Sequence, residues 1–306
     1  MAKRIEGIVT PVVTPLNARG NLDVAALCRH HEYLLENGVA AIFVLGTTGE
    51  GPALPRRIKE EMIARTVENA AGRCPVLVGI SADGVEDSLE LADFAARAGA
   101  SGVVAAPPCY LPLEKDELLE FYRILAGEQG LPVYIYNMPA MTKIDMPPEL
   151  ILEIAELPGI VGYKDSAGNF ANFVKVAAEL SKREDFSLFM GPDAKLGDAM
   201  KAGACGGVNS GSNLAPQFFV GMYRAAKTGD EAAMARCQQG IDALQEIYRF
   251  RENICCGVAA GLKYALARLG IMEKHLNSPA RSMEPNPVID EFVDSLPRRF
   301  AELSRI

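Results

Sequence analysis

Eight short apolar runs, spaced evenly over the first two-thirds of the chain, constrain the fold more than any other feature. They cover residues 7–13, 40–45, 75–80, 102–106, 132–136, 160–164, 187–190 and 206–209. Each run is continuous rather than alternating, which is the pattern of a strand buried on both faces, as in a parallel sheet. The stretches between them read as helices. Residues 22–37 carry apolar positions at helical spacing and stop at Gly38; 87–98 stop at Gly99, 113–126 at Gly127, 169–180 run without a breaker, and 200–203 close the short segment before the eighth run. Eight strand–helix units by about residue 215 are the count of a (β/α)8 TIM barrel. An open, doubly wound sheet is the alternative, because periodicity alone cannot close a barrel. Against it, the first strand–helix turn lacks a GxGxxG phosphate fingerprint.

From Pro216 the strand pattern stops. Residues 216–227, 230–250, 257–269 and 287–303 read as helices, with Pro279, Pro285 and Pro287 marking the segment before the last. The expected organisation is a catalytic (β/α)8 barrel over residues 1–228 and a C-terminal helical extension over residues 229–306. No low-complexity linker separates them, so the extension is expected to dock on the barrel.

The 306 residues are 49% hydrophobic and 23% charged, enough for a large core, and tryptophan is absent, so that core rests on Ala, Leu, Val and Ile. A net charge of −8 argues against nucleic acid or an anionic membrane as partner, while leaving room for a small anionic substrate held by local groups. The seven cysteines (Cys28, Cys74, Cys109, Cys205, Cys237, Cys255, Cys256) form no CxxC pair, and adjacent Cys255 and Cys256 would make a strained disulfide. Reduced thiols and a cytoplasmic location are expected. The first six residues hold no signal-type apolar stretch, and no run approaches the roughly 20 apolar residues of a membrane span.

Four run ends carry chemistry-bearing residues. The sixth ends in Gly162-Tyr163-Lys164-Asp165-Ser166. A lysine at the carboxyl end of a barrel strand faces the usual active-site mouth, and desolvation there disfavours the ammonium and leaves a nucleophilic amine. A lysine taken at random is instead a surface group on a long stem. The second run ends in Gly46-Thr47-Thr48-Gly49-Glu50-Gly51, where two hydroxyls and backbone N–H groups can converge on a small anion. It is not a P-loop, and its plainer reading is a Gly-rich turn whose threonines cap the next helix. The fifth ends in Tyr134-Ile135-Tyr136-Asn137-Met138-Pro139. Alternation puts Tyr134 and Tyr136 on one side, where one could shuttle a proton or both could simply fill the core. The fourth ends in Pro107-Pro108-Cys109-Tyr110-Leu111-Pro112, a stiff loop presenting a further tyrosine.

Taken together, and in this order, these motifs resemble the dihydrodipicolinate synthase / N-acetylneuraminate lyase family of Schiff-base aldolases and lyases, over nearly the whole chain. The resemblance implies that Lys164 condenses with the keto group of pyruvate or another 2-oxo acid, and that Tyr136 is the general acid/base. It further implies that Thr47 relays between Tyr136 and the Tyr110 position, which in the family reaches across to a partner subunit. Thr48, with the Gly46 backbone, would clamp the substrate carboxylate. A homotetramer built from tight dimers is implied as well. The chemistry is consistent: a protonated imine draws electrons from the neighbouring carbon, so no metal and no cofactor are expected.

Within the resemblance, the residue after Ala140 separates members. Dihydrodipicolinate synthases carry an arginine there for the aldehyde's carboxylate, whereas this chain has Met141, which offers no charge. That favours a hydroxylated 2-oxo acid as substrate: a 2-keto-3-deoxy sugar acid, 4-hydroxy-2-oxoglutarate or a sialic-acid-like molecule. The seventh and eighth run ends would face its distal part, with Gly191, Asp193, Val208 and Ser210 as candidates beside Ser166; ordinary turn chemistry explains Asp193 and Ser210 almost as well. His30, His31 and His275 read as structural or solvated, Cys109 as an incidental buried thiol, and the acidic residues Glu50, Asp165 and Asp193 form no evident metal set. The alternatives are a dihydrodipicolinate synthase using pyruvate and aspartate semialdehyde, a 2-keto-3-deoxy acid dehydratase, and a 2-oxo acid binding barrel without turnover.

Overall fold

In the computed structural model the apolar runs become eight parallel strands: β1 (Gly7–Pro11), β2 (Ala41–Val44), β3 (Val76–Gly79), β4 (Gly102–Ala105), β5 (Val133–Asn137), β6 (Ile160–Asp165), β7 (Ser187–Met190) and β8 (Gly206–Gly207). They pair in chain order, and β8 returns to β1 through Gly7↔Gly206 and Ile8↔Gly207, which closes the sheet into a (β/α)8 barrel. The open-sheet alternative is thereby excluded. The structure describes residues 4–111, 113–128, 130–250 and 254–303. Expectations placed on Met1–Lys3, on Pro112 and on the thiols of Cys255 and Cys256 lie outside the described residues.

Twelve α-helices are found among the described residues: α1 (Val24–Glu36), α2 (Arg56–Ala70), α3 (Val85–Ala98), α4 (Lys115–Glu128), α5 (Pro139–Thr142), α6 (Pro148–Ala155), α7 (Phe170–Leu180), α8 (Leu196–Lys201), α9 (Pro216–Thr228), α10 (Glu231–Leu244), α11 (Ile254–Arg268) and α12 (Pro287–Leu303). Their ends follow local chemistry. Asp23, Asn169 and Asp230 cap α1, α7 and α10 by accepting the amide of the residue three positions on. Gly99 ends α3 in the left-handed conformation at φ 91°.

Two helix C-termini differ most from the sequence reading. α4 runs through Gly127 to Glu128 instead of stopping there. That glycine is not among the residues at positive φ, and one glycine in a helix costs only about 1 kcal/mol relative to alanine. The expected helix over 230–250 breaks at Leu244, and Gln245–Tyr248 tighten into a 3-10 turn. That break aims Tyr248 back at the barrel, where its hydroxyl meets Asp193.

Two apolar clusters hold the molecule. One fills the barrel and the layer between strands and helices α1–α7, around Phe43, Val78, Val104, Ile135, Tyr163 and Leu188. The other gathers Phe218, Phe219, Ile241, Leu244, Ile247, Leu262, Leu266, Ile289, Phe292 and Leu296 from α9–α12 and the turn after α10, and meets the barrel through Ile8 and Val13 of the first strand region. Inside the barrel, side chains interdigitate in layers. Gly162 of β6 lies beside Tyr134 of β5, and a Cβ at Gly162 would come within 2.3 Å of the Tyr134 ring. The missing side chain thus makes room for an aromatic that stacks at 6.4 Å on Phe189. No described helix is long and apolar enough to cross a membrane.

Candidate active site

Lys164 and Tyr136 are register partners across β5 and β6, so their side chains leave the sheet on the same face, into the barrel. Tyr134, also inward, sits one layer below, as alternation requires. Lys164 is 6% exposed, and its Nζ stands 3.9 Å from the centroid of the Tyr136 ring and 5.2 Å from that of Phe43. The amine therefore sits between aromatic faces at the carboxyl end of a strand, in a setting far from that of a snorkelling surface lysine.

The hydroxyl of Tyr136 lies 3.3 Å from Thr47 Oγ1. Thr48 Oγ1 in turn lies 2.8 Å from Ser210 Oγ, on the turn after β8. The threonine turn is tightly built. Glu50 N–H donates to Thr47 O and Gly51 N–H to Gly46 O, while Thr14 Oγ1 donates to Gly49 O at 2.6 Å. Leu45 and Glu50 both adopt left-handed backbone, at φ 61° and 58°. Gly51 is obligatory here: a Cβ would fall 1.8 Å from Leu45 O. Two non-glycine residues held at positive φ beside the strand ends mark a strained segment over-determined by its surroundings. Among the described residues no backbone carbonyl takes the amides of Thr47 or Thr48, which leaves two donors beside two hydroxyls. Such a cradle suits a carboxylate.

Ser166 and Gly191 meet at the ends of β6 and β7. A Cβ on Gly191 would lie 2.0 Å from Ser166 Oγ, and Gly191 N–H donates to Asp165 O at 2.7 Å. Gly46 packs on Phe43 in the same way, and a Cβ there would lie 2.7 Å from the ring. Val208 is buried at the end of β8, its N–H donating to Met190 O. Met141, on the short helix that follows β5, is 38% exposed.

Other expected residues are placed differently. Tyr110 is 81% exposed; the chain anchors its backbone, whose N–H donates to Asp83 Oδ1, but leaves its ring outside the Lys164 cluster. Cys109 is not buried as expected: it is exposed, and its thiol donates to the same Asp83 oxygen at 3.1 Å, which raises the thiol pKa. The loop projects from the strand end, so its thiol meets solvent. Asp165 alternates away from Lys164 and is held by the Tyr163 hydroxyl at 2.8 Å and the Ala167 amide at 2.8 Å. Asp193 is 7% exposed, and its Oδ2 accepts from the Tyr248 hydroxyl at 2.9 Å and from Gly211 N–H at 3.0 Å. Burial pushes its pKa up to about 6 against the pull of those donors.

His30 and His31 lie wholly inside the fold on α1, with His30 Nε2 against Asn213 O and His31 Nδ1 against Asn69 Nδ2. Burial lowers their pKa values from 6.5 to about 4 and about 3. Such groups take up protons more readily when unfolded. Their contribution is therefore complete above pH 6.5 and declines as the pH falls toward the folded values. Asp193, pushed up to about 6 by burial, acts in the opposite direction below that pH, and Asp165, also raised by burial, acts in the same sense as Asp193. The two histidines outweigh them, so stability is expected to fall by roughly 1–2 kcal/mol net between pH 6.5 and 5. Urea midpoints at the two pH values measure this; a midpoint that holds or rises on acidification contradicts it.

Sequence reasoning missed several supports of the site. Asn209 braces the β7 end by donating to Met190 O and Gly191 O, and Asn213 donates to Pro11 O and Ser210 O while accepting from Val13 N–H. Thr10 and Ser212 pair at 2.8 Å beneath the mouth. The run of small polar residues from Asn209 to Asn213 was the available signal. Lys263 is fully buried on α11 and bonded to Glu50, and its signal was a lone charge in the apolar stretch Ala259–Leu266.

Residues 4–287 match the model of the dihydrodipicolinate synthetase family. A 4-hydroxy-tetrahydrodipicolinate synthase of Dechloromonas aromatica is 32% identical over 91% of this chain and 93% of its own length. An uncharacterised DapA-like lyase of Halobacterium salinarum is 31% identical over 92% of this chain and 90% of its own. Among solved structures, a dihydrodipicolinate synthase of Bacteroides thetaiotaomicron superposes with a TM-score of 0.88 at 38% identity, covering 99% of this chain and all of that one. YagE, a prophage protein of the same family from E. coli K12 solved with pyruvate, gives 0.88 at 26% identity over 96% of this chain and 98% of its own.

Proposed function

Because this chain belongs to the dihydrodipicolinate synthetase family, whose members are lyases and aldolases, we propose that it makes or breaks a carbon–carbon bond next to pyruvate through an imine at Lys164. The observation that carries the reading is the amine at 6% exposure, register-paired with Tyr136 and 3.9 Å from its ring, at the mouth of a closed barrel. In the proposed mechanism the 2-oxo acid enters with its carboxylate on the Thr48 hydroxyl and the free amides of the 46–51 turn, which fixes its keto carbon near Nζ. Lys164 attacks as the neutral amine and gives a carbinolamine. Tyr136 delivers a proton to the departing oxygen, water leaves, and the protonated imine forms. Loss of a proton from the neighbouring carbon then gives the enamine that attacks an aldehyde, and the reverse sequence cleaves the product.

Tyr136 would exchange its proton along Thr47, and the exposed Tyr110 ring would join that relay from a partner subunit, which makes a tight dimer the smallest complete unit. A homotetramer and a cytoplasmic location belong to the same reading. As substrate we favour a hydroxylated 2-oxo acid, because Met141 stands where a second carboxylate would need a cation, while Ser166, Gly191 and Ser210 offer groups suited to hydroxyls. The relatives named 4-hydroxy-tetrahydrodipicolinate synthase support a second reading, condensation of pyruvate with aspartate semialdehyde.

Borohydride reduction in the presence of pyruvate, followed by peptide mass spectrometry, tests the imine. A reduced pyruvate adduct on Lys164 is expected. Folded chain that carries no adduct at neutral pH ends this reading.

A further inference from the structure

The two turns that carry the Thr48–Ser210 pair are each gripped from outside the barrel. On one side, Lys263 of α11, 0% exposed, binds Glu50 Oε1 at 2.5 Å and donates to His275 O at 2.7 Å. The second oxygen of Glu50 accepts Asn277 N–H at 2.8 Å, and Asn277 Nδ2 reaches Ala53 O at 2.8 Å. On the other side, the hydroxyl of Tyr248 donates to Asp193, whose Oδ2 also takes the Gly211 amide beside Ser210. The turn 210–213 leaves no slack there, since a Cβ on Gly211 would lie 2.7 Å from that oxygen. Lys263 and Tyr248 are themselves one unit. Gly261 lets α11 press against the 245–248 turn, where a Cβ would meet Ile247 O at 2.2 Å.

We propose that Lys263 and Tyr248 are positioning residues that hold the 46–51 and 210–213 turns against each other, keeping the Thr48–Ser210 geometry that a substrate carboxylate requires. The inference rests on the imine reading for its catalytic consequence, but its structural claim stands apart from it. A buried ion pair fully satisfied by further hydrogen bonds fixes a conformation even where it adds little net stability. Here the conformation fixed includes Glu50 at positive φ, one residue beyond Gly49 and two beyond Thr48. Removing the ammonium leaves the largely buried Glu50 carboxylate without its counter-ion, and the turn is then free to relax from its strained backbone.

Lys263→Met and Tyr248→Phe in the full chain, alone and together, test this by local amide exchange and by pyruvate imine formation. Exchange is expected to rise about tenfold or more in residues 46–53 for Lys263→Met and in 210–213 for Tyr248→Phe, with β5 and β6 unchanged. The pyruvate concentration giving half-maximal imine formation is expected to rise several-fold while the saturating rate falls. A merely less folded chain would lower that rate at unchanged half-saturation. Unchanged exchange in both turns, or a rise spread evenly over the barrel, overturns the proposal. So does an unchanged half-saturation in chain that does form the imine. Should the unaltered chain form no imine, the function assigned to Lys164 fails and the exchange pattern alone decides the positioning claim. If Lys263→Met does not fold, Glu50→Gln, which removes the charge and keeps the shape, is read the same way.

Discussion

Lys164→Ala is expected to abolish the reduced pyruvate adduct and to lower turnover roughly 10⁴-fold, with Lys164→Met behaving alike. The size follows from what is lost. Without the amine there is no covalent electron sink, and a barrel that still binds the 2-oxo acid retains only positioning and electrostatic effects. A 10⁴-fold loss corresponds to about 5.5 kcal/mol of transition-state stabilisation. Stability should move the other way. Lys164 is buried against the faces of Tyr136 and Phe43, and among the described residues it forms no ion pair with a carboxylate. A cation–π contact returns only part of the desolvation cost of a buried ammonium, so the methionine variant is expected to unfold at an equal or higher temperature. Turnover within tenfold of the unaltered chain, or a marked drop in unfolding temperature for Lys164→Met, would show that this lysine serves the fold rather than the reaction.

Tyr136→Phe is the second large effect. The ring is 5% exposed and packs beside Lys164, so removing only the hydroxyl leaves the aromatic face in place and takes away the 3.3 Å link to Thr47. Turnover is expected to fall by about 10²–10⁴, the usual contribution of a positioned proton donor, at nearly unchanged half-saturation for the 2-oxo acid. The adduct on Lys164 should still be trapped, only more slowly, because the amine remains and water can deliver the proton poorly. Stopped-flow comparison of imine formation with overall turnover separates the steps. If both steps proceed at the original rate, the proton must come from elsewhere.

Much of this architecture is legible in the order of residues. Runs such as 75–80 and 102–106, without a polar side chain, suit strands buried on both faces, and their alternation with helices left few folds to consider. Lys164 could be singled out because a lysine beside a β-branched run is costly wherever the run is buried. The alternation of Tyr134 and Tyr136 also survives intact, since period two is a property of any strand. Local stop signals fared less well. Gly127 lies within α4, because a single exposed glycine costs too little to end a helix whose apolar face is already packed.

The roles of the acidic residues could not be read from the chain. Glu50, Asp165 and Asp193 look alike as letters next to glycines and small polar residues, yet one is an ion-pair partner of a helix more than 200 positions away, one is turned outward onto Tyr163, and one anchors a turn through Tyr248. Sequence by itself determined the strand count, which residues of a strand share a side and the lysine most worth suspecting, because these depend on periodicity and on the local cost of burying charge. Only the tertiary structure decided which groups face Lys164, why the threonine turn is strained, and that Tyr110 stands outside the cluster formed by its own chain. Those outcomes depend on closure of the barrel and on helices docked from the far end of the chain, which bring together atoms that no local pattern records.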